Sequence, residues 1–409
     1  MDDLHLSYGL AGLLAVLLAL GSYKMRTLPL SEPMVALALG VVLGPQLLAL
    51  VEISDHVRDL ILLEGSRLIV ALSVMAAALR FPTSDIGRVV RPVLLLVAIV
   101  MPLAAVVSGA ASLVLGLPLA LAALIGACLC PTDPVLASSV VSGTPAEKSL
   151  PARVRHTLSV ESGINDGLAL PLVGLAIATL LPARSVGAAA GSLAYEVLVG
   201  AVIGVVAGAL AGWGVRLATR DRDLEQAPDL ILPLLLAVAV LGVAKVAGTD
   251  GILAVFVAGV VYNRMVSADQ REPQQAIDEA VNRYAALPVF LVLGVVLPWA
   301  QWAELGPAAL LFVVLVLALR RLPWLLALPR PMRLPAQQAV FLGWFGPMGV
   351  SSLFYLAHSL DQGVSDPRLF AVGSLMVTAS VLAFGISSAP GRRLYVRAGS
   401  SHARPGVPD

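Results

Sequence analysis

Long apolar segments follow one another along almost the whole chain, separated by short polar stretches. A helix needs about 20 predominantly apolar residues to cross a hydrocarbon core of about 30 Å. Because backbone groups in lipid must be satisfied within the segment, such runs predict helices. The predicted fold class is an all-α polytopic membrane protein. Its thirteen expected spans are residues 4–21, 30–51, 60–79, 92–115, 117–141, 154–181, 193–218, 230–246, 252–262, 284–297, 305–328, 336–357 and 369–388.

The composition agrees with a membrane protein. Hydrophobic residues make up 58% of the 409 positions and charged residues 13%, whereas soluble domains contain about 25% charged residues. The mean hydropathy is +0.90. With a formal net charge of +1, the chain offers no bulk attraction for nucleic acid. The longest polar stretch, near residues 267–283, is expected to be a loop, and residues 391–409 a short cytoplasmic tail.

The basic residues indicate how the spans are oriented. Cytoplasmic loops are enriched in Lys and Arg, and most of the 27 basic residues fall in alternate loops. The opposite loops hold only Arg58, Arg184 and Arg368. This asymmetry predicts an odd number of spans, an N-terminus outside and a C-terminus in the cytoplasm. A multi-pass protein of the inner or plasma membrane is expected.

Thirteen spans divide as six, one and six, so the two groups of six enter the membrane from opposite sides. Inverted repeats with interrupted helices at a midplane site are typical of secondary transporters. Pro131 and Pro134 interrupt span five. Span twelve, the fifth of its own group, is interrupted by Gly343, Gly346, Pro347 and Gly349. We therefore expect two inverted six-helix repeats with crossed discontinuous helices at spans five and twelve.

Three acids lie where lipid should surround the chain. They occur in Pro131-Thr132-Asp133-Pro134 and in Glu161-Ser162-Gly163-Ile164-Asn165-Asp166. An ionised carboxylate in the bilayer is costly and is a functional candidate by default. At 1.5 Å per helical residue, Asp133 lies about 12 Å and Asp166 about 18 Å from the inner edge of the membrane. Both depths approach the midplane, which predicts one shared site, while Glu161 lies closer to the inner face.

Four further charged residues inside the spans are expected to support that site. Glu64 and Arg67 have the i, i+3 spacing of a local ion pair, although the position of Glu64 also fits a packing role. Arg320 and Arg321 interrupt span eleven. We expect one of them to offset buried carboxylate charge, since an unpaired buried charge is costly, and the other to reach towards the inner surface.

The chemistry of these residues predicts a site for a proton or a cation. Hard cations take oxygen ligands, and a carboxylate shielded from water also binds protons more readily. One group can then bind either, but not both at once, and such competition is the basis of exchange. Asp166 is the expected group, with Thr132 and Ser162 as neutral ligands. Asp133 is expected to offset helix dipoles at the break.

Asn165, next to Asp166, bears on the stoichiometry. If Asp166 alone cycles a proton, one H⁺ exchanges for one monovalent cation and no net charge moves. A second acid at position 165 would allow two protons per cation. No cofactor is expected, because Cys128 and Cys130 fit neither a zinc ribbon nor a CxxC pair and the five histidines are scattered.

At these residues the chain resembles the monovalent cation/proton antiporters. The branch is the one with Asn-Asp on helix six, shared by NhaP proteins and animal sodium/proton exchangers. The similarity covers essentially the whole membrane region and is carried by Thr132-Asp133-Pro134 and by Glu161-Ser162-x-x-Asn165-Asp166. The run from Thr132 to Asp166, like Glu64-Gly65-Ser66-Arg67, is particularly similar to fungal plasma-membrane Na⁺/H⁺ antiporters.

The resemblance implies an NhaA-like antiporter fold and exchange of Na⁺ or Li⁺ for H⁺ by an elevator mechanism. It implies a homodimer within the lipid bilayer, with the site residues Asp166, Ser162 and Thr132 binding Na⁺, Asn165 stabilising the site and Glu64 approaching it. A span-eleven arginine would be the family's buried basic residue. The implied membrane domain is 1–390, with a dimerisation part (about 1–80 and 229–298), an ion-translocating core (about 90–182 and 304–388) and a linker helix (about 192–219).

One segment departs from the family pattern. Many members of this branch carry Gly-x-Arg-Gly in span twelve, with the Arg facing the Glu of span six. Here the segment is Gly346-Pro347-Met348-Gly349, and the fungal-like group also has an apolar residue there. Glu161 must then be protonated, hydrogen-bonded or paired with Arg320 or Arg321.

Other functions fit less of the sequence. K⁺/H⁺ exchange on the same scaffold is the main alternative, since oxygen ligands alone do not select the ion. An intramembrane aspartyl protease would need Tyr-Asp and Gly-x-Gly-Asp signatures, which the sequence lacks. A cation channel would need a continuous pore or filter, and organic-anion symport does not account for Asn-Asp with Thr-Asp-Pro. The sequence thus predicts a transporter and not an enzyme.

Overall fold

The structure is a computed structural model that describes residues 30–80, 86–181, 186–221 and 226–400, together with residues 9, 12, 13 and 15–20. Every regular element within these residues is a helix. The helices are α1 (Glu32–Leu43), α2 (Asp55–Leu60, a π-helical turn Ile61–Gly65, and Ser66–Leu79), α3 (Ile86–Leu95, a π-helical turn Leu96–Val100, and Met101–Ser112), α4 (Leu119–Cys128), α5 (Pro134–Val141), α6 (Thr144–Ser149), α7 (Ala152–Leu180), α8 (Val186–Asp221), α9 (Gln226–Val246), α10 (Ile252–Met265), α11 (Ala268–Ala285), α12 (Leu287–Val295), α13 (Trp299–Leu305), α14 (Pro307–Leu319), α15 (Leu322–Ala327), α16 (Pro329–Met332), α17 (Ala336–Trp344), α18 (Val350–Asp361) and α19 (Arg368–Ser400).

Seven helices in the described ranges are long and apolar enough to cross a membrane. They fall on α2, α3, α7, α8, α9, α14 with α15, and α19, and a helix pair bent by 66° around α12 and α13 gives up to eight. The shorter apolar helices α1, α4 and α10 coincide with predicted spans two, five and nine. The chain is therefore an all-helical, multi-span membrane protein. The count of thirteen stays a prediction, and half of span one lies outside the described residues.

Spans five and twelve are each built from two helices. Span five is interrupted between α4 and α5, and span twelve between α17 and α18. Pro134 begins α5, a position where the missing N–H of proline costs nothing. The main-chain N–H of Asp133 donates to the carbonyl oxygen of Pro347 at 2.8 Å. The two interruptions are thus in direct backbone contact.

The expectation of a loop near residues 267–283 is wrong, because this stretch forms α11. Its buried positions Gln274, Asp278 and Asn282 recur at every fourth residue and share one face of the helix. Gln274 donates to the Tyr262 hydroxyl at 3.0 Å, and the Ser73 hydroxyl donates to Asn282. Hydropathy cannot identify such a helix, since its inward face is polar and its partners are polar side chains of other helices.

The tail is also more regular than expected. Helix α19 continues from the membrane region through residues 391–400.

Helix α8 has an exposed apolar face. Its exposed residues Leu198, Val202, Val206 and Leu210 are spaced by four residues. An exposed apolar stripe of this kind is the surface a helix presents to lipid.

Glycines allow α1 and α12 to pack backbone against backbone. A Cβ atom added at Gly40 would lie 2.1 Å from the carbonyl oxygen of Leu291, and one added at Gly294 would lie 2.2 Å from that of Leu37. Real Cβ atoms do not approach other atoms so closely. Small residues at such crossings are a common basis of helix association in membranes.

We predict that Gly294→Ala destabilises this crossing. Overpacking of a tight contact costs about 1–3 kcal/mol, so the thermal unfolding temperature in detergent should fall. The matched control is Gly242→Ala in α9, where an added Cβ meets no atom within 4 Å. Equal unfolding temperatures for the two variants would contradict the assignment of a tight α1–α12 contact.

Candidate ion-binding site

Asp133 lies where the two interruptions meet and is fully buried. Its Oδ1 accepts a hydrogen bond from the main-chain N–H of Leu136 at 2.8 Å, and its Oδ2 accepts one from that of Ser351 at 3.2 Å. Leu136 is in the first turn of α5 and Ser351 in the first turn of α18. A single carboxylate therefore caps the N-termini of two half-helices, where the helix dipoles favour negative charge.

Arg320 interacts with the C-terminal ends of the half-helices α4 and α17. Its guanidinium donates to the carbonyl oxygens of Cys130 at 2.8 Å and Pro131 at 2.5 Å, which follow α4. It also donates to that of Gly346 at 2.8 Å, which follows α17. Carbonyls beyond a helix C-terminus carry partial negative charge and lack intrahelical partners. Arg320 thus provides positive charge and hydrogen-bond donors to carbonyls that have no partner within their own helix.

The close approach at the crossing also requires glycine. A Cβ atom at position 349 would lie 2.7 Å from Asp133 Oδ2, and one at position 346 would lie 2.3 Å from the side chain of Arg321. Gly349 and Gly346 therefore do more than interrupt span twelve, because they make room for the side chains of Asp133 and Arg321.

Thr132, Ser162 and Asn165 form a fully buried hydrogen-bonded cluster between α7 and the interruption of span five. The hydroxyl oxygens of Thr132 and Ser162 lie 3.1 Å apart. Asn165 Nδ2 donates to Thr132 Oγ1 at 2.6 Å, and Asn165 Oδ1 accepts from the Thr132 main-chain N–H at 3.3 Å. Asn165 therefore fixes both the backbone and the hydroxyl of Thr132.

Asp166 lies one helical turn after Ser162 and is fully buried. By distance and angle, neither of its carboxylate oxygens has a hydrogen-bond donor in place among the residues that the structure describes, although the Ser351 hydroxyl lies close enough to interact with the carboxylate. The Tyr355 hydroxyl donates instead to the main-chain oxygen of Asp166. An ionised carboxylate in this state is costly unless something neutralises it. A bound proton or a bound cation would each remove that cost.

Glu161 is paired with Arg321. Arg321 Nη1 lies 2.5 Å from Glu161 Oε1, and Nη2 lies 2.9 Å from Oε2, with both side chains buried. This two-point arrangement is the strongest form of an arginine–carboxylate contact. Of the three possibilities left open by Met348, ion pairing with Arg321 is the one present. The expectation that one of the two arginines reaches the inner surface is wrong, because both are buried.

The ion pair expected between Glu64 and Arg67 is present. Glu64 is half-exposed, at 52% of its side-chain surface, and its carboxylate bonds Arg67 rather than a member of the Asp166 cluster. Arg67 is buried, and its Nε lies 3.3 Å from Asp250 Oδ1. Its guanidinium carbon lies 5.2 Å from the ring centroid of Phe354, in cation–π contact.

Sequence reasoning missed Tyr355, Ser351 and Asp250. Tyr355 and Ser351 are polar positions in the second half of span twelve, which is the signal that could have identified them. Asp250 follows Gly248-Thr249 in a short segment between two spans, where an acid is unremarkable. Within the described ranges, no group of three or more His, Cys, Asp or Glu could hold a metal.

We predict that Arg321→Gln impairs folding more than it impairs ion affinity. Removing one partner of a buried pair leaves an uncompensated charge and costs about 3–5 kcal/mol. In detergent, Arg321→Gln should have a lower unfolding temperature than the unmodified protein and should be less monodisperse. The double variant with Glu161→Gln should recover much of the loss, because no charge is then left unpaired. A double variant less stable than Arg321→Gln alone would contradict the pairing.

Comparison with known proteins agrees with this geometry. Residues 12–391 match the family described as "Sodium/hydrogen exchanger, transmembrane". The Na⁺/H⁺ antiporter 2 of Zygosaccharomyces rouxii is 31% identical over 376 residues, which are 88% of this chain and 46% of that protein. A probable Na⁺/H⁺ antiporter of Schizosaccharomyces pombe is 29% identical over 365 residues, 86% and 48% of the two chains. The resemblance to fungal antiporters is thereby confirmed. This chain spans about half the length of these relatives.

The fold has a match among solved structures. The sodium proton antiporter MjNhaP1 from Methanocaldococcus jannaschii at pH 8 aligns with a TM-score of 0.69 and 19% sequence identity, covering 98% of this chain and 97% of that one. At this identity the likeness shows a common fold. Taken with the family match over most of the sequence, the chain belongs to the sodium/hydrogen exchanger family of membrane transporters.

Proposed function

We propose that this protein exchanges Na⁺ or Li⁺ for H⁺ across a membrane, with Asp166 binding either the cation or the proton. The observation that carries the proposal is the fully buried Asp166 carboxylate, which has no ion-pair partner among the described residues. A cation and a proton each neutralise the single negative charge of the Asp166 carboxylate, so binding of one excludes binding of the other. The names of the fungal relatives, which are Na⁺/H⁺ antiporters, support this choice of ions.

The neutral ligands of the cation are Thr132 and Ser162. Their hydroxyls adjoin each other, and Ser162 shares a helix face with Asp166 at the i, i+4 spacing. The amide of Asn165 donates to Thr132 Oγ1 and holds it in place. Asn165 thus stabilises the site without contributing a second titrating charge. One H⁺ is therefore exchanged for one monovalent cation.

The transport cycle follows an elevator scheme in a homodimer. The core (about 90–182 and 304–388) carries the site past the dimerisation part (about 1–80 and 229–298), with 192–219 as the linker helix. Two features support this division. The α1–α12 glycine crossing joins elements of the dimerisation part, and the Asp133–Pro347 contact joins the interrupted helices within the core. Thirteen spans in two inverted repeats, an outer N-terminus and a cytoplasmic C-terminus complete the proposed topology.

K⁺/H⁺ exchange is the second candidate. One relative, the K⁺/H⁺ antiporter NhaP2 of Shewanella oneidensis, is 26% identical over 276 residues, 66% of this chain and 46% of that protein. Both ions take oxygen ligands, so the choice between them rests on transport measurements.

We predict that Na⁺ and Li⁺, added in turn to proteoliposomes with an internal pH dye, collapse an imposed proton gradient. K⁺ should do so weakly or not at all. Asp166→Asn should be inactive, because an amide neither carries the charge that binds a cation nor releases a proton. The matched control is Glu52→Gln, an exposed acid away from the cluster. Normal exchange by Asp166→Asn would refute the site, and a response to K⁺ alone would favour the second candidate.

We also predict that exchange is electroneutral. Clamping the membrane potential of the proteoliposomes with K⁺ and valinomycin should leave the Na⁺-driven proton flux unchanged. The reason is that one positive charge moves in each direction per cycle. A Na⁺-evoked current, or a rate that follows the clamped potential, would contradict the one-for-one stoichiometry.

A further inference from the structure

One of the buried carboxylates outside the Asp166 cluster is that of Asp250, in the turn between α9 and α10. The turn is well fixed, since Thr249 donates to the carbonyl oxygen of Ala244 from both its main-chain N–H (2.9 Å) and its hydroxyl (3.1 Å). Gly251 follows with φ +87°, a conformation that other residues rarely adopt. Asp250 is 7% exposed, and among the described residues nothing donates a hydrogen bond to its carboxylate.

Asp250 faces a route towards the principal site. It lines a small cavity of about 20 Å³ with Gly167, Glu196 and Tyr355, a volume that holds roughly one water molecule. The next cavity, of about 440 Å³, shares Glu196 with the first and is also lined by His358. Gly167 is adjacent to Asp166, whose main-chain oxygen accepts the Tyr355 hydroxyl.

This route leads to one end of the molecule. Ile177, which lines the large cavity, lies beyond Asp166 along α7, and His358 lies beyond Tyr355 along α18. The two cavities, which share Glu196 in their linings, therefore lie on the side of Asp166 that faces the end at which α7 and α18 finish. In the proposed topology this is the outer end. A cation that enters from outside would meet Asp250 before it reaches Asp166.

The charges around Asp250 match a monovalent cation. Arg67 contacts two carboxylates, Glu64 and Asp250, so the three groups together carry one excess negative charge. Only Glu64 is substantially exposed, while Arg67 and Asp250 are buried. Burial weakens the screening that would otherwise make such an excess unimportant. Arg67 is also held by Phe354 of α18, which belongs to the proposed core, while Arg67 and Asp250 belong to the proposed dimerisation part.

We propose that Asp250 is a transient binding site for the transported monovalent cation on the outer route, and that the Arg67 guanidinium occupies its carboxylate when no cation is bound there. Arg67 acts as a tethered cation, which the incoming ion displaces towards Glu64. The inference rests on the proposed Na⁺/H⁺ exchange. It adds a second ion site with its own competitor, on the outer side only.

The test compares Na⁺ affinity from the two sides in right-side-out and inverted membrane vesicles, with proton flux as the readout. For Asp250→Asn, the KM for Na⁺ at the outer side should rise by about tenfold, equivalent to about 1.4 kcal/mol, while the inner-side KM stays unchanged. Asp250→Glu retains the charge and should preserve the outer KM. Arg67→Gln removes the competitor and should lower the outer KM. Glu304→Gln, a change of an exposed acid on α13, should alter neither.

A purely structural Arg67–Asp250 pair gives a different pattern. Both Asp250→Asn and Arg67→Gln would then lose protein yield and flux alike, with equal changes of KM on the two sides, and this outcome would overturn the proposal. Arg67→Gln is informative even if Asp250→Asn fails to reach the membrane, because a lowered outer KM supports competition and a raised or unchanged outer KM contradicts it. Absence of any Na⁺-driven flux in the unmodified protein would instead reject the proposed function.

Discussion

The site depends on the neutralisation of four helix ends that meet in the middle of the molecule. Interrupting two helices exposes the N–H groups that begin α5 and α18 and the carbonyls that follow α4 and α17. In a membrane interior no water is present to satisfy them. Asp133 accepts hydrogen bonds at the two N-termini, and Arg320 donates to the two C-termini. Without this complementary pair, buried backbone groups beside Asp166 would lose their hydrogen-bond partners, which is costly in free energy.

A second charge pair allows the departure at Met348. The guanidinium that faces Glu161 comes from Arg321 of span eleven, and not from span twelve. Met348 is itself buried, and its main-chain N–H donates to the Ser380 hydroxyl at 2.8 Å. The consecutive arginines thus have separate tasks, since Arg320 binds backbone carbonyls while Arg321 binds a carboxylate. The charge of Glu161 is thereby balanced by a residue of span eleven instead of one of span twelve.

The sequence could predict those features whose free-energy cost is evident from the neighbouring residues alone. Acids inside apolar runs, and Pro and Gly inside predicted helices, are visible without tertiary information, which is why Asp133, Asp166 and both interruptions were found. The tasks of Arg320 and Arg321 depend on which carbonyls and carboxylates lie opposite them in space. Helix α11 was missed because its buried face is polar. Asp250 was missed because its contact with Arg67 joins segments far apart in the sequence.

The hydrogen bond that joins the two interruptions, from the Asp133 N–H to the Pro347 oxygen, involves main-chain atoms only. No side-chain replacement can delete an acceptor that every residue possesses. The acceptor side of the junction therefore tolerates a change of side chain at Pro347, while Asp133 and the glycines beside it stay constrained. It also couples the two half-helix pairs, so that a displacement of one is transmitted to the other through the main chain.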